Sequence, residues 1–426
     1  MTLTSGRLSQ LALYGGPKVR TDPWPPRGHI GLEEKAAVDA FLDRVIAGDI
    51  PPGYMGYNGP EEAAYCEEFV RFMGGGYADG VNSGSAALYV ALKALSLRPF
   101  TEVIVGAVTD PGGMMPIPLL NLVPVVADAV PDGYNTGPQQ VEALISPLTS
   151  AIVVAHIAGE PVDMEGVMAV ARRHGLPVVE DCAQAHGAML HGRPVGSFGD
   201  VACFSTMFGK HHCTGGQGGL VYTRHEAIYR AVRRASDRGK PFFLPAGTTN
   251  VMAALNLNLT DLAAAIGRVQ LRKLPEQVKR RRAIVEQIKQ GIRGLDVLSI
   301  PAPIPGAEPS YWFLRVKFHA DKALCDKETF CQALMAEGLP VEPSYRGAMP
   351  HLMDWFVNRR VFGESGYPWR SPDYAGDPDR RFPCPNAQAS MGSQFNLRFH
   401  ENWGDREVAD AVAILRKVGL AYSKRR

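Results

Sequence analysis

The chain has 426 residues, of which 46% are hydrophobic and 21% charged, with 45 basic and 43 acidic side chains. That length predicts two domains rather than one simple core, and the composition excludes a chain disordered throughout. A net charge of only +2 argues against a nucleic-acid polymer or an anionic membrane as the main partner, while leaving room for local patches that take a small anion.

In chain order, residues 1–28 carry several Pro and Gly, including WPP at 24–26, and read as an irregular arm. LEEKAAVDAFLDRVIAG (32–48) has apolar residues at helical spacing and acids in its first turn. PPGYMGYNGP (51–60) is a loop by composition. VNSGSAALYVALKALSL (81–97) is a turn feeding an Ala/Leu-rich helix, capped by Asn82 or Ser83. Six short apolar runs then follow: EVIVGAV, VPVVAD, AIVVAHI, PVVED, VACFS and GLVYT. MEGVMAVARRHG (164–175) is a helix between two of them. Continuous apolar strands separated by helices predict a mostly parallel sheet with helices on both faces. Ligands in such folds bind beyond the carboxyl ends of the strands.

The stretch 103–130 is the most apolar, but Asp110, Asn121 and four prolines interrupt it, so it reads as buried strand and helix pieces rather than a membrane span. From Thr260, residues 259–295 are helical, with Pro275 expected to kink the helix or restart it. The domain change is placed here: an arm (1–28), a large domain (29–275) and a smaller C-terminal α+β domain (276–426). The last contains a strand at 311–319, helices near 327–337 and 405–418, and a surface loop or insertion at 363–385. Seven cysteines without a CxxC pair suggest neither a disulfide framework nor a zinc site. The N-terminus has no apolar signal core. A reducing, cytoplasmic location is the expectation.

Three side chains carry the chemical argument. Lys210 sits in CFSTMFGKHHCTGGQGGLVYT (203–223), between an apolar strand and a glycine-rich turn. Burial there would lower its pKa and make the amine a nucleophile. Asp181 ends PVVED; it is either a helix cap or an acid that grips a ring nitrogen. Glu180 points to the other face by strand alternation. Ser205 ends VACFS, where a hydroxyl bonds backbone or holds a phosphate. A lysine able to form a Schiff base, an acid for a pyridinium nitrogen and a phosphate-binding hydroxyl are what pyridoxal phosphate requires. The turn Asn82-Ser83-Gly84-Ser85-Ala86 opens a helix and can cradle an anion. Gln184 could donate to the cofactor's phenolic oxygen. His211 and His212 follow Lys210 without metal-ligand spacing, so no metal is expected; one is read as packed and the other as facing the substrate mouth. Tyr345 and His400, within the 340–403 stretch expected to set specificity, are further substrate candidates.

NSGSAALYVALKAL (82–95), AIVVAHIAGEPVDME (151–165), VVEDCAQAHGA (178–188), GSFGDVACFSTMFGKHHCTGGQGGLVYT (196–223) and LNLNLTDLAAAIGRVQLRKL (255–274) resemble, in order and spacing, the DegT/DnrJ/EryC1/StrS aminotransferases, pyridoxal-phosphate enzymes of fold type I. The opening, 11–26, looks like the branch that includes amino-cyclitol aminotransferases and aminohydroxybenzoate synthases. The resemblance implies that Lys210 forms the Schiff base and Asp181 holds the pyridine nitrogen. It also implies that Gln184 bonds the phenolic oxygen, that Gly84, Ser85, Ala86 and Ser205 hold the phosphate, and that Asn256 reaches the neighbouring subunit's phosphate in a homodimer. The implied reaction moves an amino group from L-glutamine or L-glutamate to a keto-sugar or keto-cyclitol. The alternatives are a lyase of the aminohydroxybenzoate synthase type and a non-catalytic cofactor-binding regulator. Three positions depart from the family pattern: Asp110 where an aromatic stacks on the ring, Asn258 in place of an arginine, and Gln217 in place of an acid.

Overall fold

The computed structural model describes residues 6–50, 58–345 and 347–425; most of the loop read at 51–60 lies outside them. The six apolar runs all form strands. They are β2 (Glu102–Gly106), β3 (Val123–Ala127), β4 (Thr149–Ala155), β5 (Val178–Asp181), β6 (Val201–Ser205) and β7 (Gly219–Thr223), joined by β1 (Tyr77–Val81), which the sequence reading missed. They make one sheet in the order β1-β7-β6-β5-β4-β2-β3. The β3-β2-β4-β5-β6 block is parallel, and β7 runs antiparallel to both β6 and β1. β2 and β3 are buried along their whole length, as expected when helices cover both faces.

Because the central strands run the same way, Asp181, Ser205 and the turns after Val81 and Gly106 gather at one edge. Helix α1 (Gly84–Ala94) begins there, capped by the Ser83 hydroxyl, which accepts from the Ala86 N–H at 3.1 Å. The helix Met164–His174 ends at Gly175, whose φ of 64° suits its left-handed cap.

Helix α2 runs unbroken through Asp261–Gly291 with Pro275 inside it, correcting the expected restart. Pro275 removes one intrahelical bond, but Leu271, Leu274 and Val278 are buried around it, and that packing outweighs the loss. The helix starts beside the large sheet and ends in a second core with a four-stranded sheet: β8 (Leu298–Ser299), β9 (Leu314–Phe318), β10 (Val341–Glu342) and β11 (Gln394–Leu397), in the order β8-β9-β11-β10.

Two readings of irregular segments need correction. The arm is fastened to the second core. Leu11 is fully buried, the Ala12 N–H donates to Glu337 at 2.8 Å, Arg20 pairs with Glu407 and Asp410, and Trp24 stacks on Trp403 at 4.2 Å. The 363–385 segment is more than a surface loop: Trp369 and Tyr374 are buried in the first core, and the Tyr374 hydroxyl donates to Glu102 at 2.9 Å.

Candidate active site

Lys210 is 7% exposed and belongs to a tightly closed turn after β6. Its own N–H donates to Met207 O at 2.9 Å, and Thr206 N–H bonds Gly218 O at 2.8 Å. The carbonyl of Gly209, just before the lysine, accepts from Trp312 Nε1 and from Arg27 Nη1, each at 3.1 Å. The arm and the segment leading into β9 therefore fix the backbone that carries the amine. Lys210 Nζ lies 4.0 Å from the Trp312 ring centroid. Burial brings the amine's pKa down to about 8, against the upward pull of Asp181 and Asp110, while Arg398 adds to the lowering.

Asp181, at the end of β5, accepts the Ala183 N–H at 3.0 Å through Oδ1. Its Oδ2 lies 3.0 Å from where a Cβ on Gly113 would stand, so the glycine at 113 keeps the approach to that oxygen open. Burial raises the Asp181 pKa, opposed by the Ala183 N–H and by Lys210. Such a carboxylate gains from a cationic partner in the cleft. Glu180 is spent elsewhere: it accepts from the N–H groups of Gly196, Phe198 and Gly199 and contacts His156 at 3.2 Å. His156, Glu180 and Cys182 offer ligand atoms close together, yet these bonds already occupy the carboxylate and make the cluster a structural clamp.

At the first turn of α1 the Gly84 and Ser85 amides have no intrahelical partners, and the helix dipole favours an anion there. A Cβ on Gly84 would stand 2.5 Å from Ser205 Cβ, so only glycine lets this turn approach Ser205. Gly84→Ala is expected to cost about 1–3 kcal/mol through overpacking, lowering the melting temperature and weakening capture of a phosphorylated ligand. Thermal denaturation and a cofactor titration check both, and an unchanged pair of values would contradict the crowding.

Gln184 is 4% exposed; its Oε1 accepts from Ala158 N and its Nε2 donates to the Tyr345 hydroxyl at 2.7 Å. Tyr345 thus joins the cluster. Asp110 also belongs here: it caps the short turn Pro111–Gly113 by accepting the Gly112 N–H at 2.9 Å. A Cβ on Gly112 would lie 2.2 Å from Ser85 Oγ, so the 110–113 turn leans on the anion cradle.

Other candidates fall outside the cleft. His211 and His212 are both fully buried, against the expectation that one faces the substrate. His211 Nε2 contacts Ser310 O at 3.2 Å; His212 bonds Tyr65 OH and His186 Nδ1, both at 2.7 Å. Burial pushes the His212 pKa down to about 3, so it packs as neutral imidazole. His400 bonds Pro25 O at 3.0 Å and holds the arm rather than joining Lys210. Asn256 is exposed and bonded to Asn258. Two residues were missed. Trp312 read as one more apolar residue of a strand, and Arg398 stood unmarked beside the His400–Trp403 turn. Neither carries a local signal, because each reaches Lys210 only through the packing of the second core on the first.

A mostly parallel α/β sheet with a buried lysine and an acid at its carboxyl edge, facing a helix-start anion cradle, defines the class of pyridoxal-phosphate enzymes. The family model for the DegT/DnrJ/EryC1/StrS aminotransferase family matches residues 49–365, and the chain belongs to that family. An L-glutamine:2-deoxy-scyllo-inosose aminotransferase of Streptomyces fradiae is 32% identical over 430 residues, covering 96% of this chain and 98% of that protein. A dTDP-3-amino-3,4,6-trideoxy-alpha-D-glucose transaminase of Streptomyces venezuelae is 33% identical, with 67% and 73% covered. The crystal structure of an aminotransferase from Psychrobacter cryohalolentis superposes with a TM-score of 0.82 at 26% identity, covering 93% of this chain and 98% of that one. The donor set fits pyridoxal 5'-phosphate: an amine for its aldehyde, a carboxylate for its ring nitrogen, and free amides with a hydroxyl for its phosphate. Among the described residues no helix is long and apolar enough to cross a membrane.

Proposed function

We propose that this aminotransferase transfers an amino group from L-glutamine or L-glutamate to a keto-cyclitol or keto-sugar, with pyridoxal 5'-phosphate held between Lys210, Asp181 and the Gly84–Ser205 cradle. The observation that carries the reading is the buried Lys210 amine, its pKa drawn down to about 8, at the strand edge where Asp181 ends. Bound there, the cofactor would draw electrons from the substrate carbon that loses its proton.

The chain's residues supply the rest. Lys210 would hold the cofactor through its aldehyde, and its amine, when free, would move the proton at the reacting carbons as base and then acid. Asp181 would keep the ring nitrogen charged. Gln184, steadied by Tyr345, would donate to the phenolic oxygen; Gly84, Ser85, Ala86 and Ser205 would hold the phosphate. The lyase and regulator readings have no comparable support. A homodimer with shared sites is part of the proposal. Phe208 and Leu255 are 64% and 60% exposed, near Lys210 and Asn256 in the chain, and a second copy would cover them. A reducing, cytoplasmic location accords with seven free thiols.

Capture of the cofactor needs the unprotonated amine. Its second-order rate should fall about tenfold per pH unit well below the Lys210 pKa and level off above it; stopped-flow absorbance from pH 6 to 9.5 reads this. A flat profile would contradict the lysine's lowered pKa. To test the function, the holoprotein is mixed with L-glutamine or L-glutamate. The visible band should bleach and then return when an accepted ketone is added, with mass spectrometry identifying the amine formed. Absence of donor-dependent bleaching would defeat the reading.

A further inference from the structure

An amino-acid donor carries a carboxylate next to the amine it gives up, and the protein must hold that carboxylate at a fixed distance from the reacting atom. One guanidinium among the described residues shares a wall of the cleft with Lys210. Arg398 Cζ lies 5.2 Å from the centroid of the Trp312 ring, the same ring that Lys210 Nζ approaches to 4.0 Å. The lysine amine and the guanidinium therefore border the same indole.

Arg398 follows directly on β11, and its N–H donates to Pro340 O at 2.9 Å. Its Nη2 donates to Glu342 at 2.8 Å, and its Cζ lies 4.9 Å from the Phe313 ring. Among the described residues its Nε and Nη1 make no hydrogen bond, and Nη2 gives Glu342 one of its two hydrogens, so one of the two paired edges, Nε with Nη2 or Nη1 with Nη2, keeps both its N–H groups free. That planar edge matches a carboxylate bidentately. The neighbouring arginines are committed: Arg281 to Glu401 and the Tyr311 carbonyl, Arg315 to Glu160 and Gln394. Asp181 and Asp110, the acids that act on the lysine amine, repel a carboxylate from their side. The acids thus lie where the large sheet ends, and Arg398 lies on the other side, beside Trp312.

We infer that Arg398 binds the α-carboxylate of the amino donor, with Trp312 as the rigid spacer that sets its distance from Lys210. This rests on the aminotransferase reading and adds to it a donor-selecting residue contributed by the second core.

The test uses the holoenzyme and two amines, L-glutamine and 4-aminobutanamide, which is L-glutamine without its α-carboxylate. Bleaching of the visible band gives the efficiency with each. Arg398→Gln should cut the preference for L-glutamine over 4-aminobutanamide roughly 10- to 100-fold, chiefly by raising the half-saturating concentration of L-glutamine. Arg398→Lys, which keeps the charge and loses the fork, should fall between. Unchanged cofactor absorbance and far-UV circular dichroism report that each variant is folded. An equal loss with both amines, or an unchanged preference, overturns the inference. If the wild-type holoenzyme bleaches with no α-amino acid, the aminotransferase reading falls first and takes this one with it. Wild-type bleaching with an unaffected Arg398→Gln defeats the anchor alone.

Discussion

Lys210→Ala is expected to abolish donor-dependent amine transfer, by about 10⁴-fold or more, while the protein remains folded. The magnitude reflects two roles lost together: covalent hold on the cofactor, and proton transfer at the reacting carbon, which alone contributes roughly 10²- to 10⁴-fold. The fold should tolerate the change. Among the described residues buried Lys210 forms no salt bridge, and burial already disfavours its charge, so its removal relieves a desolvation cost. Thermal denaturation of the cofactor-free variant should match or exceed wild type. The visible absorbance that depends on the lysine–aldehyde link should vanish, and a small added amine should restore a fraction of the rate by replacing the missing base. A variant that stays yellow and active would place the chemistry on another residue.

Asp181→Asn is expected to lower turnover by about 10²- to 10³-fold, the usual effect of removing one preorganised charge from a reacting centre. The side-chain amide can still accept the Ala183 N–H that Asp181 Oδ1 receives at 3.0 Å, so geometry is retained. What it cannot do is keep a pyridine nitrogen protonated. Cofactor capture by Lys210 should persist, separating this variant from Lys210→Ala. A cofactor analogue methylated on the ring nitrogen carries a permanent charge and should recover a large part of the lost rate. Failure of the analogue to help, with turnover as low as in the unmodified variant, would assign Asp181 a structural role instead.

Much of the sheet was legible because buried parallel strands leave a simple trace: short Val/Ile/Ala runs between helices. β1 escaped because YADGV carries Asp79 and Gly80. The acid is nevertheless fully buried, paired with Arg233 and with the Ser236 hydroxyl, and no local pattern announces partners that far along the chain. The helix Pro60–Phe72 was hidden by the Pro/Gly-rich loop before it, whose last proline is the first residue of the helix. The placing of Lys210, Asp181, Ser205 and Gly84 at one edge was legible because strand ends and helix starts gather there. His211 and His212 were misjudged because adjacency to the lysine says nothing about burial, and the turn folds both imidazoles inward against Tyr65, His186 and Ser310. Trp312, Arg398 and the fastening of the arm depend on how two cores meet, which periodicity does not encode.

The most direct measurement is to reduce the cofactor-loaded protein with borohydride, digest it and locate the pyridoxyl group by mass spectrometry. The account predicts a single modified side chain, Lys210, with labelling suppressed by prior addition of the amino donor. A pyridoxyl group on a different lysine, or none after reduction of a protein that binds the cofactor, would contradict it.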